Sequence, residues 1–100
     1  MITIRRTETT ITVTGHSTEE GEERTWASTQ ACSAVTALTQ ALLFGIRDEL
    51  QENAPYDIEK GNFYIETSSL SGEGKLLAAV FIRTATALAG AYPKYITVEA

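Results

Sequence analysis

The apolar residues of this chain change their spacing between its first and its second quarter. In residues 2–14, isoleucine and valine alternate with threonine and arginine, which predicts two strands joined by a tight turn. From Thr29 to about residue 52 the apolar residues recur at every third or fourth position instead: Cys32, Val35, Leu38, Leu42, Ile46 and Leu50. That spacing predicts an amphipathic helix with Ser28 or Thr29 as its N-cap. A chain that carries both periods must pack helix against sheet.

The second half of the sequence repeats this combination. Residues 62–68 predict a third strand, and residues 73–89 predict a second helix, with Ser71 as a candidate cap and Gly90 as its stop. Residues 92–98 predict a fourth strand. We therefore expect one α+β domain over residues 1–100, with two layers and the order β-β-α-β-α-β. Its sheet would be four-stranded and mostly antiparallel, with both helices on one face.

Composition narrows the classes of function. The 100 residues carry a formal net charge of −5, and their few lysines and arginines are scattered, so no nucleic-acid surface is expected. No apolar run approaches the roughly 20 residues that span a bilayer. Without a signal-peptide pattern either, the sequence predicts a cytoplasmic protein that makes no membrane contact. A single cysteine and a single histidine are too few for a zinc site, so no metal or other cofactor is expected.

The single histidine and the single cysteine suggest nucleophilic chemistry. His16 follows the second predicted strand, and Cys32 lies in the first turn of the predicted helix. Free N–H groups and the helix dipole favour a thiolate there, and a nearby imidazole could act as base and acid. The backbone N–H groups of Cys32 and Ser33 would then face the oxygen of an attacked carbonyl. The structural alternative is a buried cysteine on the apolar stripe and a histidine that merely ends a strand.

The segment between His16 and Cys32 is polar and acidic, with one tryptophan. Trp26 either anchors this loop to the core or lines a pocket for an apolar substrate side chain. Four glutamates could attract a basic peptide, although a charged loop is more often simply solvated. These are Glu19, Glu20, Glu22 and Glu23.

Three short motifs, in order, resemble the ribosomal-processing cysteine protease family, Prp. They are Gly15-His16 at the end of the second strand, TQACSAVTAL at residues 29–38 and AYPKYITV at residues 91–98. The resemblance covers nearly the whole chain and implies a cytoplasmic, homodimeric endopeptidase. Such enzymes remove an N-terminal leader from a large-subunit ribosomal protein, and phage relatives are thought to trim capsid or scaffold proteins. The resemblance implies Cys32 as the nucleophile and His16 as general base and acid.

The sequence also departs from the family pattern. Thr29 stands where the family typically has aspartate, and threonine gives an imidazolium no charge partner. The alternative function is therefore a non-catalytic Prp-like module that binds a peptide or a ribosomal component. A thiol redox switch is disfavoured, because the sequence has no second cysteine to resolve a disulfide. In the protease interpretation, Trp26 and Thr29 are candidate substrate contacts.

Overall fold

The computed structural model describes residues 1–18 and 23–100, in which strands and helices follow the order ββαββαβ. The strands are β1 (Ile2–Arg6), β2 (Thr10–Thr14), β3 (Tyr56–Glu59), β4 (Asn62–Glu66) and β5 (Ile96–Glu99). The helices are α1 (Trp26–Phe44), which continues into a π-helical segment at Gly45–Glu49, and α2 (Gly72–Ala91). The predicted α+β class is confirmed, with five strands in the described sheet rather than four.

The sheet has the strand order β3-β4-β2-β1-β5. All neighbouring strands are antiparallel except β1 and β5, which are parallel. The connection through α1 leads from β2 to the β3 edge, and the connection through α2 leads from β4 to the β5 edge. The two helices therefore bring the chain to opposite edges of one sheet.

One face of the sheet forms the core with the two helices. Alternate strand residues point inward, as the period of two predicts, and the side chains between them face away from the helices. The buried positions of this core include Ile4, Ile11, Phe63, Ile65 and Ile96 from the sheet and Val35, Leu42 and Phe81 from the helices. Both helices thus lie on the same face of the sheet.

Strand β3 is the element that the sequence interpretation lacks. The helical stretch ends at Glu49, three residues before the predicted end near residue 52, and Tyr56–Glu59 then pairs antiparallel with β4 across a two-residue turn, Lys60-Gly61. Gly61 has φ +75°, a left-handed conformation that favours glycine. All four β3 residues are exposed, because no helix covers this edge. The strand therefore has no buried face to give it a strong apolar pattern.

Helix α1 begins earlier than the sequence predicts. Its N-cap is Thr25, whose hydroxyl accepts a hydrogen bond from the backbone N–H of Ser28 (3.1 Å). The hydroxyl of Ser28 accepts one in return from the N–H of Thr25 (2.9 Å), which completes a capping box. The expected caps, Ser28 and Thr29, are thus wrong, and Cys32 is the seventh residue of the helix instead of lying in its first turn.

Helix α2 begins where predicted and ends later. The hydroxyl of Ser71 accepts a hydrogen bond from the N–H of Gly74 (3.1 Å), which confirms the predicted cap. The helix runs through Gly90 to Ala91, so the predicted stop at Gly90 is wrong. Ser71 also donates from its N–H and its hydroxyl to the carboxylate of Glu52, at 2.7 and 2.6 Å. These hydrogen bonds, chiefly that of the hydroxyl, lower the pKa of Glu52.

By length and composition, both helical stretches could span a membrane, a test that core helices of globular domains also pass. In this fold the inner side of each helix packs on the sheet, while Phe44, Leu76 and Val80 are exposed on the helices. The predicted absence of membrane contact therefore stays a prediction.

Candidate functional site

A cleft of about 350 Å³ opens between α1 and the β3–β4 hairpin. Apolar residues from both sides line it, among them Val13, Val35, Ile58 and Phe63. Both His16 and Cys32 line the same cleft. The structure thus brings together the two side chains that the sequence singles out.

Cys32 lies on the cleft side of α1 and is exposed. The buried position beside it on the helix is Ala31, so the alternative of a buried cysteine on the apolar stripe is wrong. The first-turn argument is wrong as well: the N–H groups of Cys32 and Ser33 lie inside the helix, where i→i−4 bonds normally use them. The predicted oxyanion role of these two N–H groups therefore stays a prediction without that support.

The imidazole of His16 rests against the turn between β3 and β4. A Cβ atom added at Gly61 would lie 2.6 Å from Nε2 and 2.7 Å from Cε1 of His16, closer than real Cβ contacts. The N–H of Gly15 donates to the carbonyl of Gly61 (3.0 Å), which holds the same turn against the end of β2. Gly61 is thus a site residue that the sequence interpretation missed. The signal was a Lys60-Gly61 pair between two short alternating segments.

Gly15 determines how the chain leaves β2. Its φ of +91° is one that residues with a side chain rarely adopt, and a Cβ atom there would collide with the main-chain oxygen of Met1. The chain can therefore turn away from the sheet at this position and deliver His16 to the cleft.

The two candidate substrate contacts lie elsewhere. Trp26 is 79% exposed and does not line the cleft, so the proposal that it anchors the loop to the core is wrong. The hydroxyl of Thr29 donates to the carbonyl of Thr25 (3.1 Å), and Thr29 does not line the cleft either. Substrate contact by these two residues stays a prediction.

The acidic segment is only partly described. Glu19, Glu20 and Glu22 lie outside the described residues, and Glu23 is exposed. Within residues 1–18 and 23–100, no group of three or more histidine, cysteine, aspartate or glutamate side chains is arranged to hold a metal ion.

No protein-family model and no curated protein sequence matches the chain. Solved structures do match it over almost its whole length. The essential ribosomal processing protease Prp from S. aureus, in complex with a substrate peptide, has a TM-score of 0.81 and 16% identity, covering 99% of this chain and 98% of that chain. The same protease with a covalently linked product peptide has a TM-score of 0.77 and 18% identity, with the same coverage.

SMU.848 from Streptococcus mutans is similar to a comparable degree. Its TM-score is 0.76 at 20% identity, covering 98% of this chain and 93% of that chain. The resemblance to Prp that the motifs indicated is therefore confirmed at the level of the fold.

Proposed function

We propose that this chain is a cysteine endopeptidase that removes an N-terminal leader from a large-subunit ribosomal protein or a phage capsid or scaffold protein. The observation that supports it is the placement of Cys32 and His16, both exposed, in one cleft of a fold that resembles Prp. Prp itself has been solved with a substrate peptide and with a covalently linked product peptide.

In this proposal His16 takes the proton of the Cys32 thiol, and the sulfur attacks the carbonyl carbon of the scissile peptide bond. The tetrahedral intermediate collapses as its C–N bond breaks, and His16 gives its proton to the leaving amine. A water molecule, deprotonated by His16, then attacks the thioester. The C–S bond breaks, the leader leaves as a carboxylate, and the thiol is restored.

The imidazole has to be oriented without a carboxylate from the described part of the chain. No aspartate or glutamate of residues 1–18 and 23–100 forms a hydrogen bond or ion pair with His16, and the hydroxyl of Thr29 is engaged with Thr25. Its support is steric instead, through contact with Gly61. Because a carboxylate partner also stabilises the imidazolium, we expect slower turnover than in a protease with a full triad.

The first test is the pH dependence of Cys32 alkylation by iodoacetamide, in the native chain and in His16→Ala. We expect the native thiol to react at lower pH than the variant, because the imidazole favours the thiolate. A leader-peptide cleavage assay follows, in which Cys32→Ala should reduce the rate by a factor on the order of 10⁶, the scale for removing a protease nucleophile. The protease proposal would be contradicted if the pH dependence of alkylation is the same with and without His16 and the native chain cleaves no leader peptide.

The second candidate is a non-catalytic peptide-binding module, which is favoured because no described carboxylate forms a hydrogen bond or ion pair with His16. Such a module would keep its peptide affinity in Cys32→Ala and His16→Ala and would show no turnover before these changes. The cytoplasmic location and the homodimeric state belong to the protease proposal, and sedimentation of the native chain tests the second of them.

A further inference from the structure

Strand β3 is the last strand on its side of the described sheet, so its outer edge has no neighbouring strand. In an antiparallel ladder, pairs of residues that exchange both main-chain hydrogen bonds alternate with pairs that exchange none. The N–H of Glu66 donates to the carbonyl of Pro55 (2.9 Å), so every second residue from Pro55 onward bonds to β4. The N–H and carbonyl groups of Tyr56 and Ile58 therefore point to the outer edge.

The main-chain groups at this edge are free and held in place. Outside the ladder, no hydrogen bond of residues 1–18 and 23–100 uses a main-chain group of Tyr56 or Ile58. At the start of β3, the guanidinium of Arg47 donates to the hydroxyl of Tyr56 (3.1 Å) and lies 5.9 Å from the centre of its ring. At its end, the carbonyl of Gly61 accepts from Gly15. A free edge that is held at both ends is a template on which an extended peptide can form one more strand.

The outer edge of β3 leads to the proposed nucleophile and base. Ile58 lines the same cleft as Cys32 and His16, and its side chain faces the helix layer, as does that of its partner Phe63. The strand ends at the turn of Gly61, against which the imidazole rests. A peptide that lies along β3 is therefore brought with one end to the cysteine and the histidine.

The two faces of β3 differ in chemistry, which indicates the side chains that such a peptide carries. Tyr56 and Ile58 face the helix layer and are exposed. Asp57 and Glu59 face the other way, are exposed as well, and form no hydrogen bond or ion pair with a described residue. Neighbouring strands place their side chains side by side on each face, and opposite charges stabilise such pairs. The complementary peptide therefore alternates apolar with basic side chains.

We propose that the substrate peptide binds as an added strand along the outer edge of β3, with the main chains of Tyr56 and Ile58 as its hydrogen-bonding partners. Its apolar side chains lie over the cleft, and its basic side chains lie beside Asp57 and Glu59. The pairing rests on the proposed function, because it delivers the peptide to Cys32 as the nucleophile. The substrate class is then an extended segment in which apolar and basic residues alternate.

The probe that tests this is a tetrapeptide chloromethyl ketone, N-acetyl-Lys-Val-Lys-Val. The sulfur of Cys32 displaces chloride and forms a C–S bond, so the second-order rate constant is read from the mass increase. Each rate is divided by that of iodoacetamide, which has no strand to pair, so that changes in the reactivity of the thiol itself cancel. In the native chain, N-methylation of one amide at a time should slow the reaction at least about fivefold at every second amide, the factor that one net hydrogen bond supplies.

A change in the protein tests the same hydrogen bonds from the other side. Ile58→Pro removes an N–H that the ladder does not use, and edge strands tolerate proline at such positions. It should lower the normalised rate of the peptide probe at least about fivefold. The control is Ile58→Ala, which loses most of the side chain but keeps the N–H. It should keep the two-residue pattern of the methylated probes.

The charge pattern is tested separately, with a second probe in which glutamate replaces both lysines. The native chain should react faster with the lysine probe, and Asp57→Asn should lower this preference by about two- to fivefold, the scale of an opposite-charge pair across strands. The matched control is Glu8→Gln, which removes the same charge at an exposed position in the β1–β2 turn and should keep the preference. Equal changes in the two variants would overturn the charge pattern.

The possible failures can be told apart. Equal effects of methylation at all amides, or an unchanged peptide rate in folded Ile58→Pro, overturn the strand pairing and leave the protease standing, since Cys32 still reacts. If folded Cys32 reacts with no probe while the unfolded chain reacts with all, the proposed function is overturned and the pairing with it. If the native chain sediments as a dimer and Ile58→Pro as a monomer, a second copy occupies the edge, which also overturns the substrate pairing. If Ile58→Pro does not fold, the methylated probes alone decide.

Discussion

The two edges of the sheet are built in opposite ways. At the β5 edge, Ile96 is 2% exposed and packs in the core, and a salt bridge between Arg5 and Glu99 (2.6 Å) lies on the other face. At the β3 edge, Ile58 is 48% exposed although its side chain also faces the helix layer, because α1 does not cover it. The helix layer packs on the β5 edge, the closed edge, but no helix covers the β3 edge, the open edge. The cleft lies at this open edge. The well-packed edge and the edge that borders the candidate site therefore lie at opposite ends of the same sheet.

The open edge is held in place by a hydrogen bond and a side-chain contact and not by burial of apolar side chains. The turn that carries Gly61 is held by the hydrogen bond from Gly15 and by contact with the imidazole of His16. Such a region tolerates the loss of apolar area but not a change in backbone geometry. The closed edge should instead be sensitive to the loss of apolar area, and this difference can be measured.

The largest effect is expected from a matched pair of isoleucines. Ile96→Ala should lower the free energy of unfolding by about 2–5 kcal/mol, because it leaves a cavity in the core. Ile58→Ala, at the exposed edge, should change it by no more than about 0.5 kcal/mol. Urea denaturation of both variants gives the comparison. Equal losses would mean that the β3 edge is packed as firmly as the β5 edge.

A smaller effect on stability, but a direct one on the cleft, is expected from Gly61→Ala. The positive φ costs about 1–2 kcal/mol for a residue with a Cβ atom, and that atom would push the imidazole of His16 away. The pH profile of Cys32 alkylation should therefore shift towards that of His16→Ala. The control is Gly90→Ala, in helix α2 with no atom near the added Cβ, which should stabilise the chain by about 0.5–1 kcal/mol. An unchanged alkylation profile in Gly61→Ala would show that the turn does not position His16.

The smallest effect concerns acid, and it arises away from both edges. The hydrogen bonds from Ser71 lower the pKa of Glu52 below its ordinary value of 4.5, so the folded state favours the carboxylate. This contribution to stability is complete above pH 4.5 and is lost as the pH falls through the lowered value. The urea midpoint of the native chain should therefore fall in acid more steeply than that of Glu52→Gln. If the two pH profiles run parallel, the hydrogen bonds between Glu52, which follows the π-helical segment, and Ser71 at the start of α2 have no stabilising role.

The closed side of the molecule could be predicted well from the sequence. Alternation along β1, β2, β4 and β5 reflects burial on one face, so the apolar pattern carries the information. The cap at Ser71 follows from local chemistry in the same way. Strand β3 could not be assigned by burial, because both of its faces are exposed. The start of α1 was misplaced because its capping box has Ser28 at the position where glutamate or glutamine is usual.

The candidate site was predictable in part. The chemistry of a lone cysteine and a lone histidine selected Cys32 and His16, and the motif resemblance gave them a common site. No pattern in the sequence showed that Cys32 faces away from the core, or that the imidazole of His16 rests against Gly61.

The parallel pairing of β1 with β5 has a consequence for how the chain folds. It joins segments as far apart as Arg5 and Glu99, 94 residues along the sequence, whereas the β3–β4 hairpin is local. Pairings over such distances form slowly, and until β5 arrives β1 is itself an edge with free main-chain groups. The edge of β1 that β5 covers in the folded protein is thus open to pairing with other chains while this chain is still folding.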